Sequence, residues 1–156
     1  MVKIEYQDKG LIAYKEAWDL QKALFENLLK NKSEDVKNDA SGLNQLLFCE
    51  HNPVYTLGKH GNVQNLLFSE SQINAMGAEF YPIDRGGDIT FHGPGQITGY
   101  PVWDLDVLGI GIKAYIDGME AAIIELIGRY GISGSRIAGA SGVWIDAGKP
   151  GVERKI

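Results

Sequence analysis

The sequence has little of what marks several classes of protein. Its single cysteine among 156 residues excludes an intramolecular disulfide and a cysteine-rich zinc site. No apolar run approaches the length of a membrane span, and no apolar signal-peptide region stands near the N-terminus. These shortages predict a cytoplasmic protein with no membrane partner.

The sequence also has fewer basic than acidic residues. Fifteen Lys and Arg residues face twenty Asp and Glu residues, which gives a formal net charge of −5 at pH 7. A binder of nucleic acid usually carries a basic surface, so nucleic acid is not an expected partner. No block of like charge, internal repeat or linker divides the chain. The length and the 44% hydrophobic content predict a single domain over residues 1–156.

The hydrophobic pattern predicts three helices. The first spans 13–30, the second runs from an N-cap at Ser69 to about Met76, and the third spans 112–129. The apolar face of the first helix consists of Ala13, Ala17, Leu20, Leu24 and Leu28. In the third helix, the face predicted to lie in the core consists of Ile116, Met119, Ile123, Leu126 and Tyr130.

Short strands separate these helices. They are predicted at 2–6, 45–50, within 51–58, at 78–83, 88–91, 96–105 and 141–146, and a further strand begins at 154–156. Pro101 makes part of one strand an edge or a bulge, and the polar stretch 31–44 is typical of a loop. The alternation predicts an α/β or α+β fold, in which helices flank a mixed β-sheet.

The densest cluster of functional residue types is the segment 85–96, RGGDITFHGPGQ. Its four glycines let a backbone approach a ligand where a Cβ would collide. A Walker or Rossmann phosphate loop must open a helix, whereas Gly86 and Gly87 precede a predicted strand. The segment is therefore interpreted as a ligand-binding turn and strand rather than a nucleotide loop.

Three side chains, one inside this segment and two before it, need separate interpretation. His92 alone would be a structural histidine, but the turn at 93–95 after it and Arg85 before it favour a function. Cys49 lies in the apolar run QLLFCE and is interpreted as a small buried hydrophobic residue, since a reactive thiolate needs a cationic, partly exposed setting. His51, before Asn52 and Pro53, is interpreted as a turn residue.

The run from Arg85 to Tyr100 resembles the signature of the lipoyl(octanoyl) transferases, the lipoate-protein ligase B family. Residues 50–58, EHNPVYTLG, resemble the family's earlier His-x-Pro-x-x-Thr-x-Gly segment. Gly142 to Ile145, followed by Arg154 to Ile156, resemble its Gly-Val-Trp-Val strand and the lysine strand after it. The resemblance spans about 46–156.

The resemblance implies a fold like the catalytic domains of biotin and lipoyl protein ligases. It also implies octanoyl transfer from acyl carrier protein to a lysine of a lipoyl-accepting domain, through a thioester on a cysteine. The acceptors implied are the lipoyl domains of 2-oxoacid dehydrogenases and the glycine cleavage H protein. The reaction requires neither a metal nor a nucleotide cofactor.

The resemblance also assigns roles to residues. The residues that would line the acyl-substrate pocket are Arg85, Gly86, Gly87, Asp88, Ile89, Thr90, Phe91 and His92. His92 would position or polarise the thioester carbonyl. Lys155, on its own a solvated strand-edge lysine, matches the lysine that lowers the pKa of the nucleophilic thiol. The family's nucleophile lies in a Pro-Cys-Gly segment beyond that lysine, so a chain truncated at Ile156 is expected to be inactive.

Two other functions stay open at this stage. An ATP-dependent lipoate or biotin ligase would share the fold but would need an adenylate site, and no basic glycine loop suggests one. A non-catalytic acyl-binding module would keep the pocket without the chemistry. The partners are typically acidic, so a local basic patch is expected, with candidates Lys59, His60, Lys149, Arg154 and Lys155.

Overall fold

A computed structural model describes residues 2–33, 44–149 and 151–156. The chain divides into two compact units, Met1–Asp104 and Leu105–Ile156. The expectation of one catalytic domain over residues 1–156 stays a prediction. Residues 34–43, most of the predicted polar loop, lie outside the described residues.

The first unit alternates strands with two α-helices. Its elements are β1 (Ile4–Ile12), α1 (Tyr14–Ser33), β2 (Asn44–His51), β3 (Val54–Leu57), a 3₁₀ turn (Val63–Asn65), α2 (Glu70–Ala75), β4 (Glu79–Pro82), β5 (Ile89–His92) and β6 (Thr98–Val102). Each predicted helix and strand is confirmed, although β1 extends six residues beyond the predicted 2–6.

Two three-stranded mixed sheets organise this unit, with strand orders β1-β2-β6 and β4-β3-β5. In the first, β1 runs parallel and β6 antiparallel to the central β2. Pro101 lies on β6, an edge strand of this sheet, because proline cannot donate to a second neighbour. Leu47 and Cys49 of β2 and Ala17 and Leu28 of α1 are buried.

The second sheet places β3 between the parallel strand β4 and the antiparallel strand β5. Val54 and Thr56 of β3 are fully buried. The helix α2 begins at the predicted N-cap, where Ser69 and Gln72 form a capping box. Its Ile73 is completely buried, which fixes the short helix to the unit.

The second unit is an α-helix with an antiparallel sheet. Its elements are α3 (Leu105–Leu108), α4 (Ile112–Gly128), β7 (Gly134–Ile137), β8 (Ala140–Ile145) and β9 (Arg154–Lys155). The strands follow the order β7-β8-β9. The sequence did not predict α3 or β7, while α4, β8 and β9 are confirmed.

The face of α4 that meets the sheet differs from the predicted one. Ile123, Leu126 and Tyr130 were expected in the core, but they are 41%, 52% and 77% exposed. The side chains over the sheet are those of Ile124 and Ile127, which lie within 3.5 Å of the point where Gly134 would carry a Cβ. Ile116, Met119 and Ile123 of the predicted face line a cavity together with Val143 of β8. The sheet-facing stripe therefore departs from the predicted one in the last turns of the helix.

Within the described ranges, no helix is both long and apolar enough to cross a membrane.

Candidate active site

Arg85 organises the glycine-rich segment through hydrogen bonds to backbone and side-chain oxygens. Its Nη2 donates to the Thr56 carbonyl oxygen at 2.9 Å, to Thr56 Oγ1 at 2.7 Å and to the Asp88 carbonyl oxygen at 2.9 Å. Its Nη1 donates to the Gly86 carbonyl oxygen at 2.9 Å. The guanidinium therefore closes the 85–88 turn on itself and attaches it to β3.

Gly58 is the residue against which this turn packs. A Cβ there would lie 2.3 Å from the Gly87 carbonyl oxygen, and Gly87 itself has φ of +88°. The Lys59 N–H donates to the Arg85 carbonyl oxygen at 2.8 Å. The two segments approach this closely because Gly58 has no side chain, while the positive φ of Gly87 is a conformation that glycine adopts at little cost.

Asp88 fixes the other end of the turn. Its carboxylate accepts from the Asn62 N–H at 3.1 Å and from Asn65 Nδ2. The hydrogen bond from Asn65, followed by those from backbone N–H groups, lowers the pKa of Asp88. The carboxylate is ionised at neutral pH and holds the loop that contains the 3₁₀ turn.

The strand β5 divides the predicted acyl-site residues between two faces, because successive strand side chains alternate. Thr90 and His92 share one face, whereas Ile89 and Phe91 share the other. Phe91 is 47% exposed and packs on Tyr55, with ring centroids 4.9 Å apart. A ligand on the His92 face would therefore not contact Phe91.

His92 lies in an aromatic setting at the end of β5. Its ring stacks on Tyr14 with centroids 6.2 Å apart and an interplanar angle of 11°. Its Nδ1 donates to Gln96 Oε1 at 2.6 Å, which leaves the lone pair of the neutral ring on Nε2. Burial lowers the pKa of His92, opposed in part by the Gln96 hydrogen bond.

His51 is not the turn residue that the sequence predicted. It ends β2 completely buried, and its Nδ1 donates to the Ile12 carbonyl oxygen at 3.0 Å. Its Nε2 then accepts from the Tyr100 hydroxyl at 2.8 Å. The error arose because the partners of His51 lie on β1 and β6, far away along the sequence.

The buried position of Cys49 is confirmed. The residue is 4% exposed, and its Sγ lies 3.5 Å from His51 Nε2. Burial raises the pKa of the thiol, with a smaller contribution from Asp8 in the same direction. A thiol in this state is a poor nucleophile.

Lys155 lies on β9 in the second unit, opposite Trp144 of β8. Its aliphatic stem covers Gly142, and its Nζ is 5.9 Å from the centroid of the Trp144 ring. The side chain contributes to a cavity of about 360 Å³. The other main lining residues are Ile116, Met119, Glu120, Ile123, Val143 and Ile156.

Glu120 of α4 is the polar anchor of that cavity. Its carboxylate accepts from the Gly142 N–H and from Arg136 Nε, both at 2.7 Å. Those two hydrogen bonds lower the pKa of Glu120, the one from Gly142 having the larger effect. The sequence carried no signal for this residue, which is one acidic position in a helix.

The candidate basic patch is partly neutralised. Lys149 Nζ and Arg154 Nη2 both bind the carboxylate of Asp146, at 2.8 Å and 3.2 Å. Lys59 and His60 are exposed in the loop that follows Gly58. Across the described ranges, no cluster of three or more His, Cys, Asp or Glu side chains is arranged to hold a metal ion.

The structure thus gathers Arg85 to His92 in the first unit and places Lys155 in the second. Comparison with known proteins adds to this geometry. The family model for the lipoyl protein ligase A/B catalytic domain matches residues 13–156. The chain belongs to this family.

Relatives in the family are octanoyltransferases. The protein from Parabacteroides distasonis is 50% identical over 156 residues, which are all of this chain and 69% of that protein. The protein from Porphyromonas gingivalis is 53% identical over 97% of this chain but 30% of its own length. The chain spans 66% of a third relative, from Flavobacterium psychrophilum, at 48% identity.

A solved structure supports the fold alone. It comes from a study of an archaeal lipoylation system, a bipartite lipoate protein ligase and its E2 lipoyl domain from Thermoplasma acidophilum. The TM-score is 0.55 at 14% identity, over 97% of this chain and 55% of that chain. The predicted fold, a mixed α+β domain of the lipoyl protein ligase type, is confirmed.

Proposed function

We propose that this chain carries the acyl-site elements of an octanoyltransferase. The enzyme moves an octanoyl group from acyl carrier protein to a lysine of a lipoyl-accepting domain. The observation that carries the proposal is the 50% identity with the Parabacteroides distasonis octanoyltransferase along all 156 residues. Segments 50–58 and 85–96 and the strand that contains Lys155 all fall within that match.

The 85–88 turn supplies an open backbone surface for the acyl substrate. No heavy atom lies within 4 Å of the position where Gly86 would carry a Cβ, and the residue is exposed. Arg85 and Gly58 hold the turn rigid from the opposite side. A preformed backbone of this kind binds without losing conformational entropy.

His92 serves as a hydrogen-bond acceptor at this site. Its pKa is lowered by burial, so the ring is neutral at pH 7, and its Nδ1 proton is committed to Gln96. Nε2 therefore offers a lone pair to a proton of the substrate or of the incoming amine. The carbonyl polarisation expected from the family resemblance would use the other tautomer, in which Nε2 carries the proton and Nδ1 accepts from the Gln96 amide.

Lys155 serves as the ammonium beside the nucleophilic thiolate. A nearby positive charge favours the thiolate and so increases the population of the nucleophile. Cys49 does not fit this role, because it is buried and its thiol pKa is raised. We propose that the nucleophilic cysteine belongs to a part of the protein outside these 156 residues.

The two acyl-transfer steps need neither a redox partner nor a nucleotide as co-reactant. The thiolate attacks the thioester carbonyl carbon, a new C–S bond forms, and the carrier thiolate leaves and takes a proton. The amine of the acceptor lysine then attacks the acyl-enzyme. An amide bond forms, the amine proton is released to a base, and the enzyme thiolate is regenerated.

A mass-spectrometric transfer assay tests the proposal. The protein containing this chain is mixed with octanoyl-acyl carrier protein and a lipoyl domain, and the acceptor should gain one octanoyl mass without ATP. Lys155→Met should lower the rate by about 100-fold or more, the usual scale for a lost acid–base or charge-stabilising group. Lys113→Met, an exposed cation of the same unit that is paired with Asp117, is the matched control. Transfer that proceeds equally with Lys155→Met contradicts the role of Lys155.

The same assay separates the rival functions. A lipoate ligase would require ATP and free octanoate, and would exchange pyrophosphate into ATP in the presence of the acid. A binding module would retain octanoyl-carrier binding but show no transfer in any form of the protein. Either result would overturn the octanoyltransferase proposal.

The partners and the location belong to the same proposal. The study of the Thermoplasma acidophilum lipoylation system names an E2 lipoyl domain as that of its ligase, which supports a lipoyl domain as acceptor here. The acyl carrier protein donor, the 2-oxoacid dehydrogenase and glycine cleavage acceptors, and a cytoplasmic location follow from the family reaction. Substituting purified carriers and acceptors one at a time in the transfer assay tests each of them.

A further inference from the structure

Three hydrogen bonds in the second unit connect α4 to β7 and β8. The carboxylate of Glu120, whose side chain is 11% exposed, accepts from Arg136 Nε and from the Gly142 N–H. Arg136 Nη2 also donates to the Asp117 carbonyl oxygen at 2.6 Å. Gly142 of β8 is therefore held to the helix through Glu120, and Glu120 is held in turn by Arg136.

The aliphatic stem of Lys155 lies against Gly142. This glycine has φ of +112°, a region that side-chain-bearing residues rarely adopt. A Cβ at this position would lie 2.3 Å from Lys155 Cε and 3.1 Å from Lys155 Nζ. The lysine thus occupies the space that a side chain at position 142 would fill, and the absence of a Cβ at Gly142 leaves that space open.

We propose that Glu120 is a positioning residue for Lys155. By holding the Gly142 N–H, it fixes the positive-φ backbone of β8 at the residue against which the lysine stem lies. Glu120 acts through Gly142 and does not itself contact the reacting atoms. The catalytic consequence rests on the proposed octanoyltransferase function, whereas the structural consequence does not.

The charges around Lys155 agree with this assignment. From α4, the cavity contains one carboxylate, Glu120, whose charge is shared with Arg136. The neighbouring cation on β9, Arg154, is bound to Asp146. From β8, Trp144 offers a ring face to the ammonium.

A matched control exists on the same helix. Glu125 forms an ion pair of 2.7 Å with Arg129, the same length as the pair between Glu120 and Arg136. Both members of the Glu125 pair are 72% exposed, and Glu125 makes no hydrogen bond to β8 among the described residues. Glu125→Ala therefore removes a similar ion pair without touching Gly142.

The structural test is an NMR contact that needs no activity. In the wild-type chain, a nuclear Overhauser effect is expected between the Lys155 Hε protons and the Gly142 Hα protons, whose carbons are neighbours. Glu120→Ala should remove or strongly weaken it, and Glu125→Ala should leave it unchanged. An undiminished contact in folded Glu120→Ala protein overturns the proposal.

A second variant keeps the test decisive if Glu120→Ala does not fold. Glu120→Gln retains an oxygen that can accept from the Gly142 N–H, although it loses the charge that binds Arg136. We expect it to retain the contact between Lys155 and Gly142. Loss of the contact in folded Glu120→Gln would show that the hydrogen bond to Gly142 is not the anchor.

The kinetic test uses the transfer-competent protein. Glu120→Ala should lower kcat by about 10- to 100-fold, because a misplaced catalytic group loses its near-attack geometry, while KM changes little. Glu120→Gln should recover most of kcat, and Glu125→Ala should match the wild type. If the NMR contact is lost but transfer is unaffected, the positioning role stands and the proposed role of Lys155 in transfer fails.

Discussion

Thr56 and Gly58 show how two separate sequence segments form one structural feature. Both oxygens of Thr56 accept from Arg85, and the backbone of Gly58 packs against that of Gly87. Thr56 is completely buried, so its hydroxyl needs this partner. The functional interpretation of the 85–96 segment therefore depends on two residues that precede it by about thirty positions.

Gly58→Ala tests this contact directly. The new Cβ would lie 2.3 Å from a backbone oxygen, which cannot rotate away as a side chain would. We expect the free energy of unfolding to fall by about 1–3 kcal/mol, the usual cost of overpacking. Urea denaturation measures it.

Gly86→Ala is the matched control in the same turn. It places a Cβ in open space, and its φ is not in the positive region. The unfolding free energy should stay within about 0.5 kcal/mol of the wild type. Equal losses in the two variants would mean that the close approach of Gly58 and Gly87 does not limit the turn.

His92 predicts a pH dependence of stability. Because burial lowers its pKa in the folded state, the unfolded chain binds the proton first as the pH falls below about 6.5. Its contribution is therefore present above that pH and is lost as the pH falls through the lower folded-state pKa. We expect the urea midpoint to decrease between about pH 7 and pH 5.

His92→Gln should flatten this slope. The nearby positive charge of Arg85 acts in the same direction as burial, so replacing His92 removes the group on which both act. His60→Gln, in an exposed loop, serves as the control. A wild-type slope in His92→Gln would show that another group causes the acid loss.

At the scale of elements, the turn between β8 and β9 determines where the lysine strand begins. Asp146 has φ of +57°, the left-handed region, and it alone among the described non-glycine residues has a positive φ. Its carboxylate binds both Lys149 and Arg154, and the hydrogen bond from Lys149 is the main cause of its lowered pKa. Asp146 thus adopts the backbone conformation that the turn requires, and its carboxylate also binds Lys149 in the turn and Arg154 on β9.

Substitutions at position 146 separate these two contributions. Asp146→Asn keeps a residue that tolerates the left-handed region, whereas Asp146→Ala combines backbone strain with the loss of both ion pairs. We expect Asp146→Ala to lower Tm by a few degrees and Asp146→Asn to lower it less. Thermal unfolding measures the order, and a Tm for Asp146→Asn as low as that for Asp146→Ala would contradict the strain argument.

At the scale of the whole molecule, local patterns predicted most elements and the family. Capping residues, helical periodicity and glycine stops act within a few positions, so α1, α2 and α4 were predictable. The strand β7, with the sequence GSRI, has weak strand propensity and forms because β8 pairs with it. The environment of His51 and the role of Glu120 depend on contacts across many positions, which no local pattern reveals.

The net charge predicts how salt affects encounter with acidic partners. The chain carries −5, and two of its candidate docking cations share one carboxylate. Long-range attraction is therefore weak, and screening should reduce repulsion. If acyl carrier protein is the donor, as proposed, its association rate should rise as NaCl increases from about 20 to about 200 mM, a range over which the Debye length shortens severalfold.

Stopped-flow fluorescence with labelled carrier protein measures this dependence. A neutral small-molecule thioester, whose encounter rate does not depend on ionic strength, serves as the reference. An association rate that falls with added salt would instead show that a local basic patch dominates the encounter.

The seclusion of Cys49 has a practical consequence for spectroscopy. Its thiol is 4% exposed and reluctant to ionise, so maleimide reagents near neutral pH should react with it slowly. A cysteine introduced at an exposed position such as Ser71→Cys would then be the fast-reacting thiol of the chain. Spin labels or fluorophores could be attached at chosen sites in the wild-type background, without first removing a native residue from the centre of the sheet.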